Sequence, residues 1–388
     1  MTKSKGGLYV HIPYCTTKCL YCDFYCGGAR QADFRRLVRA LSRECTERAD
    51  ELPDTVDTVY IGGGTPSLLP SSEFRSLVES LKNSVGDGRW KPVEFTVEAN
   101  PDDVLPENVE AWKRAGVNRV SMGVQTFDDS LLAFLRRRHT AAESVRAYEI
   151  LRGHFPNISI DLMFGIPSQT FDIWRDSVMK AIELRPEHIS CYSLMYEPGT
   201  ALTHLRDRGD IAETSDADTE RMFSYMRDAM TDAGYEHYEI SNFALPGFGS
   251  RHNGAYWKGL PYLGLGPSAH SYDGHSVRRA NPADIRKYLE CFAPLTESET
   301  PRMESFFTEE RLTDEELREE MILTRLRTAD GIDIDEYASR FGHEALGRLL
   351  ANAKRDTACG RLERIGNALR LTPSGILTSD SVMVNLSM

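Results

Sequence analysis

The sequence predicts an α/β fold: a parallel sheet covered by helices, followed by a small helical and hairpin unit. Three observations predict it. Short β-type runs at 8–12, 58–61, 93–98, 119–125, 158–164 and 188–195 are each followed by a helical pattern, which implies parallel pairing through right-handed crossovers. Glycine-rich or polar residues close successive runs, at the edge where parallel α/β folds build their sites. From about residue 303 the strand–helix alternation gives way to helices and then a hairpin pattern. Six units suit a full or partial (β/α) barrel, or a doubly wound sheet.

The helices follow from 3.6-residue periodicity. Phe34, Leu37, Val38, Leu41 and Cys45 share one face, which makes Cys45 a core residue; Cys191, inside an apolar run, reads the same way. Phe74, Leu77, Val78 and Leu81 form a second stripe, and Trp174, Val178, Ala181 and Ile182 a third. Pro106 and Gly116 supply a helix start and stop. Further helices are expected at 314–327, 333–340 and 344–351, then a hairpin over 361–371 turning at Gly366-Asn367. These boundaries divide the chain into a barrel core (1–240), a connecting region (241–302) and a C-terminal winged-helix-like domain (303–388).

The 388 residues, 41% of them hydrophobic, suffice for a large core. A formal charge of −12 argues against nonspecific nucleic-acid binding. The winged-helix-like part points the same way, with 12 Lys/Arg against 16 Asp/Glu over 301–388. No apolar stretch approaches the ~20 residues that span a bilayer. The beginning of the chain lacks the pattern of a signal peptide, so a cytoplasmic protein is expected. Its eight cysteines are then ligands or core residues, not disulfides.

Cys15, Cys19 and Cys22 lie within eight residues, directly after the first strand. Three thiols are too few to close a four-iron cluster, so one iron would keep an open position. Zinc in a Cys3His site with His11 is the alternative, although no second CxxC knuckle is present. Cys26, four residues on, is expected to be a bystander, because a fourth protein ligand would block the open position. Gly62-Gly63-Gly64-Thr65-Pro66 ends the next strand. It has no phosphate-loop spacing, and Gly63 and Gly64 suit either a tight turn or close backbone approach to a ligand. Individually, Glu98, Gln125, Arg137 and Asp161 could be helix caps or surface charges.

The CxxxCxxC loop with Tyr21 before its last cysteine resembles the radical S-adenosylmethionine (SAM) family. The order Glu98-Ala-Asn, Gln125-Thr-Phe, Arg137 before His139, and Asp161-Leu-x-x-Gly-Ile-Pro resembles its oxygen-independent coproporphyrinogen III dehydrogenase group. The resemblance runs from Gly7 to the C-terminal hairpin. It implies a partial (β/α)6-type barrel and a [4Fe-4S] cluster on Cys15, Cys19 and Cys22. SAM would be bound by Tyr9, Tyr21, Gly63, Gly64, Thr65, Glu98, Gln125, Arg137 and Asp161.

Two branches share this pattern. One oxidises coproporphyrinogen III in porphyrin biosynthesis; the other binds heme as a chaperone and passes it to acceptor proteins. Phe24 stands where the dehydrogenase motif carries a further cysteine, and little chain precedes Cys15. His252-Asn253-Gly-Ala-Tyr256-Trp257 matches the HNxxYW pattern of the chaperone branch, which implies heme contact by His252, Asn253, Tyr256 and Trp257. His270 is a competing axial ligand. The expected partners are heme, an acceptor protein and an electron donor, with a homo-oligomer compatible with the sequence. The dehydrogenase reaction is the alternative function.

Overall fold

The computed structural model describes residues 4–28, 33–293, 303 and 306–388. Its strands, in chain order, begin with β1 (Lys5–Ile12), the short pair β2 (Tyr14–Cys15) and β3 (Gly27–Gly28), and β4 (Thr55–Gly63). The series continues with β5 (Trp90–Ala99), β6 (Arg119–Gln125), β7 (Asn157–Phe164) and β8 (His188–Ser193). After these come β9 (Glu236–Glu239), β10 (Asn242–Ala244), β11 (Tyr262–Leu265), β12 (His270–Tyr272), β13 (Val277–Ala280) and β14 (Thr308–Arg311). The C-terminal unit adds β15 (Ile332–Asp333), β16 (Leu362–Ile365) and β17 (Ala368–Leu371).

All six expected strands are present, and they run parallel in the order β1-β4-β5-β6-β7-β8. The sheet stays open as a partial barrel. One edge is extended by antiparallel β10 and β9. The other is extended by β11, parallel to β1, and then antiparallel β12, β13 and β14.

Alternation along the strands decides which face carries chemistry. Leu8, Val10 and Ile12 of β1, Phe95 and Val97 of β5, and Ile158, Ile160 and Leu162 of β7 are buried in the main core. That core includes residues of the flanking helices Phe34–Glu47, Ser71–Val85 and Phe171–Leu184. Cys45 and Cys191 are in it, as expected. The alternate positions face the inside of the barrel and are polar: Tyr9 and His11, Thr58 and Tyr60, Glu94 and Glu98, Arg119 and Ser121, Ser159 and Asp161, His188 and Ser190.

The expected connecting region does not stand apart. β10 and β11 join the sheet at its two sides, and β14 extends it. These strands have three or four residues each, too few for alternation to reveal them. A second core, separate from the first, joins helices Asp314–Leu326 and Ile334–Ala358 to the hairpin β16–β17. Gly342, at φ 87°, breaks the longer helix where two were expected. No helix of the described residues is long and apolar enough to cross a membrane.

Candidate functional site

The cysteine loop follows β1 and crosses the ends of β1 and β4. Cys15, Cys19 and Cys22 are all half-buried. Two donors already address the sulfurs: the Thr65 hydroxyl donates to Cys15 Sγ (3.4 Å) and Arg137 Nη1 to Cys19 Sγ (3.5 Å). A hydroxyl and a guanidinium suit thiolates, so the donor set fits an anionic cluster. The structure does not support His11 as a fourth ligand. Its Nε2 donates to the Tyr25 carbonyl (3.1 Å), leaving Nδ1 to accept from the Tyr9 hydroxyl (2.9 Å). Among the described residues, no three His, Cys, Asp or Glu side chains already converge as a single-ion site. Cys26 is half-buried like the other three cysteines of the loop.

Gly63 and Gly64 support the loop from below. A Cβ at Gly63 would stand 2.6 Å from the His11 ring, and one at Gly64 would stand 2.7 Å from the Tyr14 carbonyl oxygen. The missing side chains therefore make room for the protein's own first strand and loop. The Gly64 N–H donates to the Ile12 carbonyl (2.8 Å).

Four further expected residues gather at the same end of the barrel. Glu98 accepts from the Tyr60 hydroxyl (2.7 Å) and the Gly63 N–H (3.0 Å). Burial pushes its carboxyl up to about 7, and the neighbouring Asp161 adds to this. Asp161 is likewise raised by burial, with Arg119 and Arg137 opposing the rise. Arg137 Nη2 donates to Asn100 Oδ1 and to the Gly123 carbonyl, both at 2.6 Å. Gln125 is held at φ 70°, the left-handed region in which non-glycine residues concentrate at functional sites. Tyr21 packs beside the loop against the cluster containing Leu20 and Leu131. No role was expected from the sequence for Tyr60 or Arg119, which meet the site only through residues of other strands, Glu98 for the first and Asp161 for the second.

The HNxxYW segment lies elsewhere. It forms the short helix Arg251–Trp257 across the opposite, N-terminal end of the barrel. Glu94 caps that helix, accepting from the backbone N–H groups of Arg251 and His252, both at 2.9 Å. His252 is only 2% exposed. Its Nδ1 pairs with Thr58 Oγ1 and its Nε2 with the Tyr256 hydroxyl, both at 2.8 Å, and its ring stacks on Tyr60. Burial, with the Arg119 charge, pushes its pKa down to about 3. His252 was expected to meet heme directly; both of its nitrogens are instead occupied by protein. Only Tyr256 and Trp257 of the motif line an adjoining cavity of about 540 Å³, whose walls also include Tyr9, Phe24, Tyr262 and His270. Asn253 does not line it.

The chain matches known proteins along nearly its whole length. The Radical SAM superfamily profile matches residues 9–181, and the HemN C-terminal domain profile matches residues 312–378. The heme chaperone HemW of Bacillus subtilis is 35% identical over 378 residues, covering 96% of this chain and 97% of that protein. The chain belongs to the HemW family of radical SAM proteins. A second member, the heme chaperone HemW of Mycobacterium tuberculosis H37Rv, is 32% identical over 375 residues, covering 91% of this chain and 95% of its own. Among solved structures, the coproporphyrinogen III oxidase HemN of Escherichia coli superposes with a TM-score of 0.82 at 20% identity. The match covers 100% of this chain and 90% of that one, and establishes the shared fold.

Proposed function

We propose that this HemW-family chain binds heme and hands it to an acceptor protein. The full-length likeness to proteins named heme chaperones carries the reading. Cys15, Cys19 and Cys22 would hold a [4Fe-4S] cluster, which when bound supplies an electron and an iron with one open position. SAM would lie over the strand ends. There Glu98 and Asp161 offer acceptors, Gln125 and Arg137 offer donors, and Tyr9, Tyr21, Gly63, Gly64 and Thr65 shape the surroundings. Arg137 spans the two parts, since one of its nitrogens faces the Cys19 sulfur and the other is fixed by Asn100 and Gly123.

The second reading, oxidation of coproporphyrinogen III, is favoured by the fold shared with the E. coli oxidase. The position of Phe24 weighs against it: the side chain is 62% exposed beside the cluster loop, where the oxidase motif places a sulfur. An anaerobic incubation with reductant, SAM and coproporphyrinogen III separates the two. The chaperone reading expects no vinyl product, together with stable heme binding and transfer of that heme to an apo acceptor. Product formation at steady turnover would overturn it.

A further inference from the structure

Resting on the heme reading above, we infer that heme is seated between the barrel and helix Asp314–Leu326, with its iron on His270 and a propionate on Arg278. His252 holds the wall of this seat and not the iron. The cavity there, about 540 Å³, falls within the ~300–1,000 Å³ of pockets that enclose small organic ligands. Tyr256, Trp257, Tyr262 and Tyr272 give it an aromatic wall, and Phe24 adds an exposed ring from the cluster loop. Such faces suit a broad planar macrocycle.

Two histidines line this space, and they differ in what their nitrogens do. His11 is engaged at both nitrogens by Tyr9 and Tyr25. His270 is exposed, and its imidazole makes no hydrogen bond or ion pair among the described residues. A neutral imidazole with a free nitrogen is what an axial iron position requires. Arg278 is the one Lys or Arg among the described lining residues. It pairs with Glu320 of helix Asp314–Leu326 and lies 5.8 Å from the Tyr272 ring centroid. A carboxylate-bearing ligand would draw it from Glu320, so seating heme also loosens one tie between the barrel and the C-terminal unit.

His270 is presented by a rigid base. The turn from Gly266 to Ala269, which leads into β12, contains Ser268 at φ 63°. Buried Glu44 accepts from the Gly266 N–H (2.8 Å), and Asn281 Nδ2 bridges Glu44 to the Gly266 carbonyl (2.8 and 2.7 Å). Arg48, paired with Glu44, donates to the Ser271 hydroxyl (2.9 Å), immediately beside His270. A buried, fully paired network that holds a strained turn under an unpartnered histidine is the construction of a ligand-presenting site.

The test is a ferric heme titration of the full-length chain, followed by absorption spectroscopy, on wild type, His270→Ala, His252→Gln and Arg278→Ala. For His270→Ala we expect loss of the histidine-type Soret spectrum and a rise in heme Kd of about 10-fold or more. Added imidazole should restore the wild-type spectrum. His252→Gln, which keeps a hydrogen-bonding side chain, should lower the melting temperature yet retain the wild-type spectrum in its folded fraction. Arg278→Ala should weaken heme but leave heme dimethyl ester unchanged. A His270→Ala protein with wild-type spectrum and affinity overturns the assignment and leaves the chaperone reading standing. So does a folded His252→Gln protein that has lost the spectrum. Wild-type protein that takes up no heme at all removes the chaperone reading itself.

Discussion

The two ends of the barrel interior are built from the same kinds of residue and do different work. At the N-terminal end the side chains of Glu94, His252 and His188 all pair with protein groups. Glu94 caps the helix Arg251–Trp257, His252 lies between Thr58 and Tyr256, and His188 lies between Ser159 and the Tyr238 hydroxyl (2.8 and 2.7 Å). At the C-terminal end the polar groups are perturbed by their surroundings. Glu98 and Asp161 are carboxyls pushed toward neutrality by burial, Gln125 has a left-handed backbone, and Arg137 is aimed at a sulfur. The N-terminal groups are spent on fixing a helix to the barrel, whereas the C-terminal ones combine buried carboxyls and a left-handed backbone with a guanidinium beside the cysteine sulfurs. The chemistry of a motif does not reveal which of the two settings it occupies; its surroundings do.

Removing the cysteines should expose the difference most fully. Cys15→Ala, Cys19→Ala or Cys22→Ala should abolish reconstituted iron and its brown colour, because two thiols cannot retain the cluster. The three thiols are half-buried and lie outside the main core, so far-ultraviolet circular dichroism should stay unchanged. Full iron loading of all three single variants would show that the loop is not the metal centre. Next in size is Glu94→Ala, at the opposite end. It leaves the N–H groups of Arg251 and His252 without their carboxylate and should destabilise the fold by about 2–3 kcal/mol in urea unfolding. Iron loading measured well below the unfolding transition should remain at the wild-type level. A drop in iron at full foldedness would mean that the two ends are coupled.

The parallel core and the place of the cysteine loop at the strand ends were legible in the sequence because both rest on strong local signals. Six apolar strands with helical stripes between them set the first, and three cysteines directly after a strand set the second. The winged-helix-like pattern also held, down to the turn at Gly366, φ 59°. Three features were not legible. Strands of three or four residues, such as β10, β11 and β12, carry too few positions for alternation to be counted, so the connecting region hid its place in the sheet. Tyr60 and Arg119 sit inside apolar runs and become site residues only when strands far apart in the chain are brought together. His252 has the chemistry of a metal ligand, and only its burial against Thr58 and Tyr256 shows that both nitrogens are spent.

The smallest expected effect is a slope and not a loss, and it separates the two ends by their protons. Burial lifts the Glu98 carboxyl from an ordinary 4.5 to about 7. An acid whose pKa is higher in the folded chain binds its proton more tightly there. Its stabilising contribution is therefore complete below about pH 4.5 and disappears as the pH climbs through 7. The steepest slope that one such group can impose is about 1.4 kcal/mol per pH unit. Glu98→Gln does not titrate in this range, though it loses one of the two bonds that the carboxylate accepts from Tyr60 and Gly63. The variant should therefore be offset from wild type, and the difference between them should change in the variant's favour from pH 5 to pH 8. Urea unfolding of both proteins at the two pH values measures that double difference. A difference that stays constant across the range would mean that Glu98 is already ionised at pH 5, as an ordinary solvated glutamate would be.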